Sequence, residues 1–356
     1  MPTRRQFLQA GALAAPFIRN ATAAPPRKVT LTLPWLAEGS NIYAFVARQN
    51  GYWADAGLDV QISRGYGSVA AAQAVGAGQF EFGLAAAPSG IQQAAKGIGL
   101  IAICNCGYDA TMSVAVLDDS PVKVPKDLAG KQMGSTVTSG EYPFLPAFAK
   151  NAGLDLATVN IVQCDPNVRS RLLMERKVDA LSGFAVSIAP LLVVNKLKVR
   201  FMLYSSYGLK LYNNALLTRP ATLQQDPQLC AAMADGIAQG IKFCLTQPDQ
   251  ALNAFLKQVP EVSLTPGGPL QVRTGMGIFA TTMFGAPAKA HGIGVSDAND
   301  YANMADLVTK YLGAPGDTTP KPETLFTNDL VGKVTMTEAE WAQADDKLKE
   351  FRYFFG

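Results

Sequence analysis

Apolar positions along the chain switch repeatedly between a period of two and a helical period. Residues 29–35 alternate apolar and polar side chains, as a half-buried strand does. Residues 41–50 then carry Ile42, Phe45 and Val46 at helical spacing, and Gly51 ends the run. Strand patterns recur at 58–63, 80–85, 100–105 and 112–117, with helical patterns at 68–77 and 88–96. The alternation restarts after the turn cluster Asp118-Asp119-Ser120-Pro121. Strands are expected at 132–135, 159–163, 178–182 and 198–203, with helices at 140–151, 166–176 and 187–196 between them. Residues 214–218 read as a returning strand, and the chain beyond 227 reads as mostly helical. Such alternation predicts an α/β protein with parallel-rich sheets and helices on both faces. One α/β unit is nested in another: lobe 1 over 24–118 and 208–356, lobe 2 over 119–207. The two connections, near 118–122 and 204–212, imply a hinged cleft with ligand at loops leaving the carboxyl ends of strands.

Composition narrows the class. With 356 residues, 48% hydrophobic and 17% charged, the chain can bury two cores, which excludes a disordered protein. Its one long apolar stretch is N-terminal and broken by Pro16 and Arg19, so a multi-span membrane protein is excluded. The net charge of +3 comes from Arg4, Arg5 and Arg19, which precede any acid; the remaining chain is balanced. No basic stripe for nucleic acid is present. A single histidine, His291, argues against metal sites or acid–base chemistry built on paired histidines.

Residues 1–23 read as an export signal. Arg4-Arg5 followed by Phe7-Leu8 resembles a twin-arginine (Tat) signal. A weakly apolar run leads to Ala21-Thr22-Ala23, an Ala-x-Ala cleavage pattern. Removal near Ala23 and a periplasmic mature protein are expected. The five cysteines, with Cys104 and Cys106 two apart on one strand, read as buried free thiols.

Several phrases then resemble one family. They are Leu33-Pro34-Trp35, the 42–53 segment IYAFVARQNGYW, Ala56-Gly57-Leu58-Asp59-Val60, the 65–68 segment GYGS, the 78–83 segment GQFEFG and the 125–131 segment PKDLAGK. Their order and spacing resemble periplasmic solute-binding proteins of ABC importers, of the nitrate/sulfonate/taurine and thiamine-pyrimidine-precursor group. The resemblance implies a type II two-lobed binding protein that works with an inner-membrane ABC permease. It implies no cofactor, no catalysis and a monomer. Tyr52, Trp53, Phe80, Phe82, Leu128 and Lys131 are read as structural.

Candidate ligand contacts lie where strands end. In lobe 1 these are Trp35, Ser40 and Asn41, then Tyr66, Gly67 and Ser68, then Pro88 and Ser89, then Asn105 and Tyr108. Trp35 either stacks on a ligand or belongs to the core. Glycines at 65 and 67 let the backbone approach a ligand. In lobe 2 the richest loop holds Ser135, Ser139, Gly140, Glu141 and Tyr142 at a helix start, followed by Asp165, Phe184 and Ser187. Glu141 serves either the helix dipole or the cleft.

Of the strand-tip loops, only the one at Arg64 carries a basic residue, while aromatics and hydroxyls abound. That favours a small planar or apolar organic ligand, neutral or amine-bearing and pyrimidine-like or aromatic, over nitrate or sulfate. The acid that precursor-binding relatives carry beyond an Asp-Ala pair is missing after Asp179-Ala180, with Glu38 or Glu141 as substitutes. The alternative classes are an anion binder and an enzyme like the fungal pyrimidine synthase, of which Cys104-Asn105-Cys106 is a faint echo.

Overall fold

The protein is described from a computed structural model covering residues 25–314 and 318–355. The expected export signal, 1–23, lies outside the described residues. Ten strands form two five-stranded sheets. The first contains β1 (Arg27–Thr32), β2 (Leu58–Ser63), β3 (Phe82–Ala86), β4 (Ile101–Asn105) and β10 (Asn214–Thr218), in the order β2-β1-β3-β10-β4. The second contains β5 (Met112–Leu117), β6 (Gln132–Ser135), β7 (Asn160–Gln163), β8 (Ala180–Phe184) and β9 (Val199–Leu203), in the order β7-β6-β8-β5-β9.

The registers follow the apolar pattern. Val29 pairs with Val60 and Leu31 with Ile62 in the parallel β1–β2 ladder. The inner strands β3, β10 and β5 are buried along their whole length, as continuous apolar runs covered on both faces must be. β7, at an edge, is mostly exposed and polar. Two lobes result, each built on one of the two sheets, as the alternation in the sequence predicts.

Each sheet has one strand against the grain: β10 pairs antiparallel with β3 and β4, and β5 with β8 and β9. Both are strands that have just crossed from the other lobe, entering their sheet from the cleft side. The first crossing therefore occupies residues 106–111, earlier than the 118–122 turn predicted, because β5 hydrogen-bonds into the second sheet. The turn at 118–121 is internal to lobe 2. The second crossing runs through 204–213, between β9 and β10.

Six helices follow strands in the βα manner: α1 (Ile42–Gln49), α2 (Ser68–Gly76), α3 (Ala87–Ala95), α4 (Leu145–Asn151), α5 (Arg169–Met174) and α6 (Ala185–Val194). α1 ends at Gly51, φ 80°, with Tyr52 N–H donating to Ala47 O at 3.1 Å. Behind it lies the 20-residue helix Pro227–Thr246, N-capped by Asp226, whose Oδ1 accepts from Leu229 N–H at 2.9 Å. Trp53, 1% exposed, packs into that helix at Gly236 and donates its indole N–H to Met233 O at 3.3 Å. The helix Gly268–Thr281 packs between the lobes, where Gly275 meets Gly39 of lobe 1 and Val186 and Pro190 of α6. All five cysteines are free thiols. Among the described residues no helix is long and apolar enough to cross a membrane.

Candidate ligand-binding site

The site grows from loops that face each other across the lobes. On lobe 1, the loops after β1 and β2 are laced together: Gly65 N–H donates to Trp35 O at 2.8 Å and Gly67 N–H to Pro34 O at 2.9 Å. Asn41 closes the first loop on itself, donating from Nδ2 to Leu36 O at 2.8 Å and accepting from Glu38 N–H at 3.2 Å. That bracing presents Trp35 and Glu38. On lobe 2, Asp165 forms a turn after β7, its Oδ1 accepting from Asn167 N–H at 2.8 Å, and α5 starts with Arg169.

Between the loops lies a narrow cavity of about 20 Å³, partly open to solvent. Lobe 1 contributes Pro34, Trp35, Glu38, Ser40 and Ser68; lobe 2 contributes Ser139, Arg169, Phe184, Val186 and Ser187; Asn213 and Asn214 close it at the second crossing. A wider outer cavity, about 310 Å³, shares Trp35, Glu38, Val186 and Ser187 with it.

Two charged groups face this space. Glu38 Oε1 accepts from Ser40 Oγ at 2.7 Å and, across the cleft, from Ser187 Oγ at 2.6 Å. Burial pushes the Glu38 carboxyl above its ordinary range, against the pull of those two hydroxyls and the positive Arg169. Arg169 is 2% exposed, and its guanidinium carbon sits 4.5 Å from the centre of the Trp35 ring. Its Nε and Nη1 have no hydrogen-bond partner. Glycine at 183 makes room for it: a Cβ there would stand 3.0 Å from Arg169 Cζ.

The lobes touch around the cavity. Val69 N–H donates to Thr138 O at 3.1 Å, Thr138 Oγ1 donates to Tyr66 O, and Arg64 reaches Asn167 Oδ1 at 3.3 Å. The two lobes thus meet across the cleft.

Of the residues expected from sequence, Trp35, Ser40, Ser68, Ser139, Phe184 and Ser187 line the inner cavity. The others lie elsewhere. Asn41 braces its loop, as described. Tyr66 is 54% exposed at the rim beneath Arg64, and Gly67 abuts Thr138. Pro88 starts α3, buried; the Ser89 hydroxyl is buried without a partner beside Gly140, at the docking of the 139–141 loop on α2 and α3. Asn105 is buried at the end of β4 with neither amide atom partnered. Tyr108 belongs to the core, donating to Val295 O at 2.6 Å and meeting Tyr212 edge-on. Tyr142 hydrogen-bonds Gln163 at 3.3 Å on the outside of lobe 2.

Glu141 neither caps a helix nor faces the cavity. It is fully buried in lobe 2, where it accepts from Ser139 Oγ and from Ser182 Oγ at 3.1 Å, and Ser182 shares a 2.6 Å bond with Ser135. Burial, aided by the nearby Glu141, raises the Tyr204 hydroxyl well above its usual value. Glu141 thus holds the loop that carries Ser139.

Pro34, Arg169, Val186, Asn213 and Asn214 were not among the expected contacts, and Glu38 entered only as a substitute acid. The Asn-Asn pair at the second crossing was the visible signal for two of them. Arg169 corrects the electrostatic expectation: the cavity has a positive group, supplied by the first turn of a helix rather than by a strand-tip loop.

The profile of the family described as NMT1/THI5-like matches residues 40–251. The chain is 23% identical over 237 residues to a formylaminopyrimidine-binding protein of Halalkalibacterium halodurans, covering 66% of this chain and 72% of that protein. A shorter match, 25% over 157 residues, links it to a 4-amino-5-hydroxymethyl-2-methylpyrimidine phosphate synthase of Saccharomyces cerevisiae, covering 44% of this chain and 46% of the enzyme. Among solved structures, the alkanesulfonate-binding protein SsuA of Xanthomonas axonopodis pv. citri, bound to MOPS, superposes with a TM-score of 0.63 at 14% identity, covering 86% of this chain and 100% of that one.

Proposed function

The chain belongs to the NMT1/THI5-like family, and from that premise we propose that it is the extracytoplasmic solute-binding component of an ABC importer. It captures a small organic ligand with a flat or apolar body by closure of the cleft and delivers it to an inner-membrane permease. The observation that carries this reading is the narrow cavity between the two lobes, walled by Trp35, Phe184 and Val186 and edged with serine and asparagine groups. A flat ligand between such walls gains burial and aromatic contact, and the hydroxyls and amides fix its orientation. The lobes, roughly 25–105 with 214–314 and 318–355, and 112–203, open and close about the two crossings. Export with removal of residues 1–23 completes the picture.

Binding is favoured over catalysis by the chemistry at hand. The cavity lacks histidine and cysteine, and His291 ends a separate helix, Ala286–His291. The match to the yeast synthase also spans less than half of either chain.

Thermal-shift and calorimetric screening of the mature protein against aromatic acids, pyrimidines, taurine, nitrate and sulfate tests the reading, together with small-angle scattering. A stabilising organic ligand that compacts the protein is expected. Turnover of that ligand, or binding only of inorganic anions, overturns it. Intact-mass analysis of periplasmic material tests the processing; a chain still beginning at Met1 would remove the export step.

A further inference from the structure

The inner cavity holds a positive charge whose hydrogen bonds are unmade. Arg169 is 2% exposed, yet Nε and Nη1 find no acceptor. Glu38, the acid on the same cavity, does not pair with it; Glu38 Oε1 is taken by Ser40 and Ser187. Burying these two guanidinium donors is costly, because they have left water without a hydrogen bond in return. The surrounding structure nonetheless makes a place for it, with Trp35 on one side and the bare backbone of Gly183 on another. The cavity's unmet demand is therefore for acceptor oxygens beside a flat apolar wall.

We propose that the ligand carries an oxyanion, a carboxylate or sulfonate on a flat apolar body, which seats on the free N–H groups of Arg169. This rests on the reading of the cavity as the ligand site. Arg169 supplies charge-assisted hydrogen bonds, which are stronger than neutral ones, in a narrow cavity between the lobes. Phe184 and the indole of Trp35 flank the apolar body. The expectation of a neutral or amine-bearing ligand is reversed on this account.

The test uses the full mature chain and four probes in calorimetry: benzoate, benzenesulfonate, neutral benzamide and neutral 4-amino-2-methylpyrimidine. At least one of the two anions is expected to bind tenfold or more tightly than benzamide, and the two anions distinguish carboxylate from sulfonate. Arg169→Met should abolish that preference, a loss of roughly 10- to 100-fold for the anion, while benzamide binding is kept. Arg169→Lys should restore part of the preference. Without ligand, the melting temperature of Arg169→Met should change little, since losing the contact with Trp35 offsets the removal of two unpartnered buried donors. Binding of benzamide or the pyrimidine as tight as that of either anion overturns the oxyanion and leaves the solute-binding reading intact. So does a preference for the anion that survives Arg169→Met. Failure of all four probes to bind overturns both.

Discussion

The guanidinium carbon of Arg169 lies 4.5 Å from the centre of the Trp35 ring, and the contact crosses from lobe 2 to lobe 1. Trp35 is 7% exposed on a loop braced by Asn41; Arg169 stands at the start of α5. One face of the indole is thus already covered by a cation, and any ligand on Trp35 uses what remains of the ring.

A desolvated cation over tryptophan contributes about 2 kcal/mol, so this pair ties the two lobes together where they meet. Trp35→Ala should therefore enlarge the ligand-free protein in scattering and weaken ligand binding at least tenfold. Trp35→Phe should sit between. An alanine variant with unchanged dimensions and affinity would show that the indole serves neither closure nor ligand.

Gly67 tests closure from the other rim. Its φ is 127°, and a Cβ there would stand 2.0 Å from Thr138 O of lobe 2. Backbone in that region strains any other residue by about 1–3 kcal/mol. On the proposed closing motion, the overlap would be absent once the lobes part. Gly67→Ala should keep native circular dichroism, lose tenfold or more in affinity, and show reduced compaction with ligand. Full compaction at wild-type ligand concentration would place the rim contact outside the closing motion.

Stability of lobe 1 can be perturbed without touching the cleft. A Cβ on Gly236 would stand 2.1 Å from Trp53 Nε1, inside the packed core. Neither the indole nor the helix backbone can yield easily there. Overpacking of this kind costs about 1–3 kcal/mol, which chemical denaturation of Gly236→Ala should register. The ligand affinity of the folded variant should match wild type. An unchanged denaturation midpoint would mean that the helix Pro227–Thr246 shifts freely against Trp53.

What the sequence reveals here divides along a physical line. The strands and most of the helices were legible because each buries a local pattern, apolar runs for β3, β5 and β10 and a helical stripe for α1. Strand direction was not, since alternation does not say that β5 and β10 enter their sheets from the cleft. The polar turn at 118–121 looked like the crossing because turn residues are conspicuous. The true crossing, 106–111, lies between two wholly buried strands, and sheet membership is a long-range property. Ser40, Ser68, Ser139 and Ser187 were found because helix starts after strands converge on a cleft. Arg169 was passed over because a charge inside a helical pattern reads as a solvated face. Only packing reveals that this one turns inward beneath Gly183 and Trp35.

Glu38 gives a prediction with a definite sign. Burial raises its carboxyl above the ordinary value of 4.5, more than Ser187, Ser40 and Arg169 lower it. The folded protein therefore binds more protons at Glu38 than the unfolded chain between that ordinary value and the raised one. Stability must fall as pH rises through that window, and the cost is complete above the raised value. Glu38→Gln removes the titration while keeping an amide oxygen for the two serine hydroxyls. The variant should lose this part of the pH slope and, near neutral pH, be at least as stable as wild type without ligand. An anion seated on Arg169 would also meet less repulsion from the neutral amide of this variant than from the Glu38 carboxylate, so its affinity should fall less steeply with rising pH than in wild type. Denaturation and calorimetry at several pH values read both effects. A variant with the wild-type slope in both measurements would mean that Glu38 stays ionised throughout.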